Sequence, residues 1–304
     1  MEEQTTEEQA IREFVDEQRA FYESMIPNAG AADPVAEVLS LEIPAKNPER
    51  SIPLRLYRPA NLDAKAPVML YIHGGGFASG SLNTHDVLAR ALANGIGALL
   101  FSIDYRLAPE HPFPAGLNDV SAALSWLTDH AEEFGGDPDR LVIGGDSAGG
   151  TLAIAASTRV RDAGGKQVRA QLLLYPLLTF ATDSQSWKEL GADHFPTLGI
   201  MPYFERAYVP QGQDATDPMI SPLNGELKDL PPSIVLIGEL DPLRDHARAY
   251  AESLEAAGVP VEFAVYPGVE HGFIQFFKDP AIGPQGKKAL DDAVAGVKRA
   301  LAAG

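Results

Sequence analysis

Cysteine is absent from the 304 residues, which excludes disulfides, thiolate catalysis and cysteine-based zinc or iron–sulfur sites. Positive charge is scarce, with 24 Lys and Arg against 42 Asp and Glu and a net charge of −18. Such a surface repels phosphate backbones and anionic bilayers, so no nucleic-acid partner and no anionic membrane surface is expected. The surplus serves solubility first. Long hydrophobic runs are also missing: nothing approaches the roughly 18 uncharged residues of a membrane span. The N-terminal MEEQTTEEQAIREF is acidic where a secretory signal would be basic, and no apolar core follows it. The expected location is cytoplasmic. Internal repeats, low-complexity tracts and Gly/Ser linkers are absent as well.

What is present is an ordinary globular composition, 45% hydrophobic and 22% charged. A chain of this length is often one α/β domain, here residues 1–304. Residues 6–24 read as a helix with Ile11, Phe14, Val15 and Phe21 on one stripe, broken by Pro27, Asn28 and Gly30. Val38–Ile43 and Ile52–Tyr57 read as a hairpin around the turn-rich AKNPER. Six short apolar runs follow: Val68–Ile72, Ala98–Ile103, Leu141–Ile143, Ala170–Tyr175, Ile234–Ile237 and Val261–Val265. Runs without alternation suit strands buried on both faces of a parallel sheet. Helical stretches separate most of them, at His85–Ala93, Gly116–His130, Ala148–Asp162 and Arg244–Ala257, the last followed by Gly258 as a C-terminal cap. Strand–helix alternation predicts a mostly parallel α/β sheet flanked by helices. Phe180–Asp217 breaks the alternation and carries Trp187, Phe195, Tyr203, Phe204 and Tyr208. An insertion of that length is usually functional; it is expected to form a helical cap together with the N-terminal segment, from roughly residues 1–35 and 180–217.

Gly145-Asp146-Ser147-Ala148-Gly149 matches G-x-S-x-G. With 28 glycines and 15 serines about 0.1 such matches arise by chance, so the weight lies in the context, an apolar strand before and a helix after. A serine on a sharp strand-to-helix turn needs neighbours without bulk, and Gly145, Gly149 and Gly150 supply them. Ser147 would then sit at a helix N-terminus, where the dipole favours developing negative charge. A phosphate-binding turn is the competing reading, but the P-loop lysine and the G-x-G-x-x-G spacing are both missing. Upstream, PVMLYI runs into His73-Gly74-Gly75-Gly76-Phe77. Consecutive glycines let backbone N–H groups converge on an oxyanion, joined by the N–H of Ala148.

A serine nucleophile needs a base and an orienting acid, in the chain order Ser, Asp or Glu, His. His194, His246 and His271 follow Ser147. His271 is favoured because it lies just beyond the final strand, where α/β sheets carry their sites. Among the acids, SIVLIGEL runs straight into Asp241, which is favoured over Asp245, Glu239 and Asp217. Asp245 could equally be a helix-start charge and Asp241 an N-cap.

Taken together, HGGGF (73–77), DYRLAPEHPFPA (104–115), GDSAGG (145–150), DPMISPL (217–223), DPLRD (241–245) and EHGF (270–273) resemble the bacterial hormone-sensitive-lipase family of esterases, over roughly residues 35–300. The resemblance implies an α/β-hydrolase fold with an eight-stranded sheet and a helical cap. It implies hydrolysis of short- to medium-chain acyl esters without cofactor or metal, on a small-molecule substrate. Residue by residue, Ser147, Asp241 and His271 match the triad, and Gly75, Gly76 and Ala148 the oxyanion donors. His73 and Gly74 match support of the glycine loop, Tyr105, Arg106 and Glu110 match scaffold positions, and Asp146 braces the elbow. A homodimer through a sheet edge is an option under the same resemblance, though no residue demands one. Amidase, lactonase or peptidase chemistry on the same site stays open, because the fold does not select the leaving group. A non-catalytic ligand-binding relative would lack the triad histidine, which is present here.

Overall fold

The computed structural model describes residues 2–46 and 49–303. Asn47 and Pro48, at the expected hairpin turn, lie outside the described residues, as do Met1 and Gly304. The chain opens with helix α1 (Glu2–Ser24) and the hairpin strands β1 (Glu37–Lys46) and β2 (Glu49–Arg58). Then come β3 (Ala66–Ile72), α2 (Asp86–Ile96), β4 (Leu99–Ile103), α3 (Ala115–His130), β5 (Gly136–Asp146), α4 (Ala148–Asp162) and β6 (Ala170–Leu174). Two short helices, α5 (Gln185–Leu190) and α6 (Met201–Tyr208), precede β7 (Ser233–Gly238), α7 (Arg244–Ala256), β8 (Val261–Tyr266) and α8 (Pro284–Ala302).

The eight strands form one sheet in the order β1-β2-β4-β3-β5-β6-β7-β8. The β1–β2 and β2–β4 pairs are antiparallel and the other pairings parallel. Burial follows position. β3, β4, β6 and β7 are buried along their whole length, as strands covered on both faces must be. The edge strand β1 alternates exposed and covered residues. Helices α2 and α8 pack together on one side, while α3 and α4 pack together against β3 and β5 and α7 against β7 and β8.

The expected strands and helices are present, with ends moved by a few residues. Helix α8 was not among them. Gly286 and Gly296 inside it weaken helix propensity, yet the second has a packing reason, since a Cβ on Gly296 would meet Ile234 of β7 at 2.8 Å. The insertion between β6 and β7 holds α5 and α6. Phe14 of α1 stacks on Tyr203 and meets Phe204 edge-on, at ring separations of 4.9 and 5.1 Å, so the N-terminal helix and the insertion share one apolar seam. No helix among the described residues is long and apolar enough to cross a membrane.

The sheet order has one consequence for function. Parallel strands β3, β5, β7 and β8 all release their C-terminal loops at the same edge, the position where α/β sheets bind ligands. Those loops carry the glycine run, Ser147, Asp241 and His271 in turn.

Candidate active site

Ser147 lies between the last residue of β5 and the first of α4, at φ 51° and ψ −119°. A non-glycine residue there is strained by about 1–3 kcal/mol and persists only when its surroundings fix it. Here Ser147 N–H donates to the Leu174 carbonyl (2.9 Å), and the Ser147 carbonyl accepts from Gly150 (3.0 Å) and Leu177 (3.2 Å) N–H groups. The flanking glycines have a steric cause. A Cβ on Gly145 would meet the Ile72 carbonyl oxygen at 2.5 Å, and one on Gly149 would also run into the Ile72 carbonyl. The elbow thus crosses the end of β3 at backbone contact.

His271 and Asp241 complete a linear series. His271 Nδ1 lies 2.7 Å from Asp241 Oδ2, and His271 Nε2 lies 3.0 Å from Ser147 Oγ. A carboxylate only accepts, so Nδ1 carries the proton and Nε2 is left to accept from the serine hydroxyl. The other Asp241 oxygen accepts from Leu243 N–H (2.8 Å), and the side chain is fully buried. The other candidates are engaged elsewhere. Asp245 accepts from Ser186 N–H (2.7 Å), Glu239 from Gly268 N–H (2.9 Å) and Asp217 from Met219 N–H (2.9 Å). His194 pairs with Glu270 (2.9 Å), and His246 is buried in α7, where burial pushes its imidazole below the usual range.

The glycine loop turns back over the serine. Gly75 and Gly76 have φ of 116° and 61°, followed by Phe77 at 63°. Gly74 N–H is taken by Asp146 (3.0 Å). Among the described residues, the N–H groups of Gly75 and Gly76 meet no protein acceptor, and Ala148, as the first residue of α4, has no intrahelical acceptor for its own. These three donors stay available to a reacting oxygen beside Ser147. Gly76 admits no side chain, since a Cβ would strike the Phe204 ring.

Below the loop lies a buried polar cluster. Asp146 accepts from Tyr71 Oη (2.6 Å), Gly74 N–H and His85 Nε2 (3.2 Å). Burial alone would raise its carboxyl, but His85, Tyr71 and His73 outweigh that and hold it below the usual range. His73 donates from Nδ1 to the Gly74 carbonyl (2.8 Å), while its own carbonyl accepts from Tyr105 Oη (2.9 Å). Burial, reinforced by His85, lowers the His73 imidazole to about 4. It is therefore a neutral brace at neutral pH. Arg106 is held by a bidentate bond to the buried Asp119, which anchors the segment after β4.

The cavity at Ser147 is narrow, about 20 Å³, and is walled by Leu177, Phe195, Met201, Phe204 and Leu243 with Tyr22 of α1. That is little more than one water. A wider cleft of about 440 Å³ shares Tyr22, Phe195 and His271 with it and opens past Phe21. Of the aromatic residues in the insertion, Phe195 and Phe204 reach the cavity wall, whereas Trp187 is fully buried away from it and Tyr208 stacks on Phe77. Several contacts were invisible in the sequence. His85 and Tyr71 on Asp146, and Arg19 on the glycine loop, join residues 59 to 75 positions apart, and no local pattern links them.

The chain resembles known proteins over most of its length. A family model described as alpha/beta hydrolase fold matches residues 69–275. The chain is 41% identical over 255 residues to the Carboxylesterase NlhH of Mycobacterium tuberculosis, covering 82% of this chain and 79% of that protein. It is 37% identical over 261 residues to the ethyl acetate hydrolase of Pseudomonas putida, covering 84% and 82%. The hyperthermophilic esterase of the archaeon Pyrobaculum calidifontis superposes with a TM-score of 0.87 at 35% identity, over 95% of this chain and 93% of the other.

Proposed function

The chain belongs to the α/β-hydrolase family, on its hormone-sensitive-lipase-like branch, and on that premise we propose that it is a serine carboxylesterase acting on short- to medium-chain acyl esters. The observation that carries the reading is the unbroken series Asp241–His271–Ser147, at 2.7 and 3.0 Å, facing free N–H donors on Gly75, Gly76 and Ala148. Two of the relatives named above are a carboxylesterase and an ethyl acetate hydrolase, which favours ester over amide as the scissile bond.

In this reading Ser147 Oγ attacks the ester carbonyl while His271 Nε2 takes its proton. Negative charge forms on the carbonyl oxygen and is met by the Gly75, Gly76 and Ala148 N–H groups, with the α4 dipole behind them. Asp241 keeps the His271 proton on Nδ1 and stabilises the imidazolium that forms. His271 then protonates the departing alcohol, leaving an acyl group on Ser147. Water, deprotonated by the same histidine, releases the carboxylate. His73 and Gly74 serve the glycine loop as support.

Residues 1–35 and 180–217 act as a cap over this site. The narrow cavity under Phe195, Met201 and Phe204 requires these side chains to move when an acyl chain enters. The test is hydrolysis of p-nitrophenyl butanoate by the wild type and Ser147→Ala. Turnover in the wild type, with a fall of at least about a thousandfold in the variant, supports the reading. A wild type that cleaves the matching anilide faster than the ester overturns it.

A further inference from the structure

Arg19, on the penultimate turn of α1, reaches from the N-terminal helix onto the glycine loop. Its Nε donates to the Ala78 carbonyl (2.9 Å) and its Nη2 to the Ala108 carbonyl (3.1 Å). The same guanidinium forms a bidentate pair with Glu110, with Nη1–Oε1 at 2.8 Å and Nη2–Oε2 at 2.7 Å. The hydrogen bond from Arg19 holds the Glu110 carboxyl down to about 2. An exposed ion pair of this kind is ordinarily worth little. The two carbonyls are what make this one unusual.

Both belong to a single joint. Ala108 N–H donates to the Phe77 carbonyl (2.9 Å), and Ala78 N–H donates to the Gly75 carbonyl (3.1 Å). Arg19 therefore closes a ring of hydrogen bonds around Gly75–Ala78, where three successive residues have positive φ. Ser79 fixes the Gly75 carbonyl from the other side, through its N–H (2.9 Å) and its hydroxyl (2.8 Å). The one non-glycine residue of the three, Phe77 at φ 63°, must be held there from outside. A planar guanidinium sets two carbonyls and a carboxylate at fixed angles, which a lysine ammonium does not.

We propose that Arg19 is a positioning residue for the oxyanion hole: by holding the Ala78 and Ala108 peptides it aims the Gly75 and Gly76 N–H groups, while Glu110 orients the guanidinium. The proposal rests on the ester-hydrolase reading. It makes the N-terminal helix a working part of the reaction and not merely a cover over apolar surface. The alternative is a docking contact for α1, and kinetics separate the two. Loss of docking changes KM and thermal stability. Loss of oxyanion geometry changes kcat, because that charge exists only beyond the ground state.

The experiment compares wild type, Arg19→Ala, Arg19→Lys and Glu110→Gln as full-length proteins. The readouts are kcat and KM for p-nitrophenyl butanoate and the Ki of an alkyl trifluoromethyl ketone, whose serine adduct carries an oxyanion. Arg19→Ala is expected to lose about 10- to 100-fold in kcat, with KM changed less than about threefold and Ki raised by the same factor as kcat falls. Arg19→Lys, with the charge but not the fork, stays within about threefold of Arg19→Ala. Glu110→Gln retains the guanidinium contacts to both carbonyls and loses less than about fivefold. The proposal is overturned if Arg19→Ala keeps kcat within twofold of wild type, or if Arg19→Lys restores it fully. Should Arg19→Ala not fold, the Arg19→Lys kcat and Ki decide alone. An inactive wild type, or an active Ser147→Ala, would instead refute the parent reading.

Discussion

Replacing Asp241 by asparagine moves one proton in the Asp241–His271–Ser147 series. The carboxylate is fully buried and makes two bonds, accepting from Leu243 N–H at 2.8 Å and from His271 Nδ1 at 2.7 Å. Asparagine has nearly the same shape, and its oxygen will keep the Leu243 bond, which leaves the amide NH2 facing His271. Two donors cannot share that contact, so the imidazole proton moves to Nε2. At 3.0 Å from Ser147 Oγ the base has then become a donor and the serine keeps its proton. The loss combines general-base catalysis with stabilisation of the imidazolium. In the serine–histidine–aspartate template the same change lowers kcat by about 10⁴, or about 5.5 kcal/mol at 1.36 kcal/mol per decade. Asp245→Asn is the control. That side chain is about a quarter exposed and bonds Ser186 N–H and Arg244, not His271, so its loss should stay under about fivefold. The assay is kcat for p-nitrophenyl butanoate at pH 7.5, with circular dichroism confirming folded protein. An Asp241→Asn variant within tenfold of wild type, or an Asp245→Asn variant that falls as far, would refute the assignment.

Two further outcomes follow from the geometry. His73 is fully buried, with its imidazole lowered to about 4 from an unfolded value of 6.5. Protons therefore favour the unfolded chain between those values, and this group's contribution to stability is present above pH 6.5 and lost as pH falls toward 4. From pH 7 to pH 5 it should contribute a loss of about 2 kcal/mol. Urea unfolding at the two pH values checks this, and a His73→Gln variant that shows the same drop would contradict it. Phe204→Ala removes a ring that presses on Gly76 and walls the narrow cavity. It should raise kcat/KM for p-nitrophenyl octanoate relative to butanoate by about tenfold or more, and an unchanged ratio would show that this ring does not limit the acyl chain.

The parts of the fold that were legible in the sequence are those whose signal is local. Each apolar run between polar loops became a strand, and each strand of the catalytic edge is followed directly by its chemical residues. The HGGG loop, the Ser147 elbow, Asp241 and His271 could therefore be read in order without knowing the packing. The neighbours Asp245 and Glu239 could not be excluded that way, because which carboxylate turns toward His271 depends on the path from β7 into α7. Contacts between distant loops were illegible for a different reason. Arg19 sits among the charged residues of an acidic helix with no local pattern to single it out, yet its part-exposed guanidinium hydrogen-bonds a loop 59 residues away. His194 lay in the insertion as a rival base, and its partner Glu270 proves to be the neighbour of His271 in the chain. Helix α8 escaped because Gly296 serves contact with Ile234 of β7 at the expense of helix propensity.

The most direct test of the central claim is covalent labelling by a fluorophosphonate, followed by peptide mass spectrometry. One label per chain is expected, on Ser147, with esterase activity lost in step with labelling and no label on Ser147→Ala. Labelling of a different residue, or full activity in protein labelled at Ser147, would contradict it.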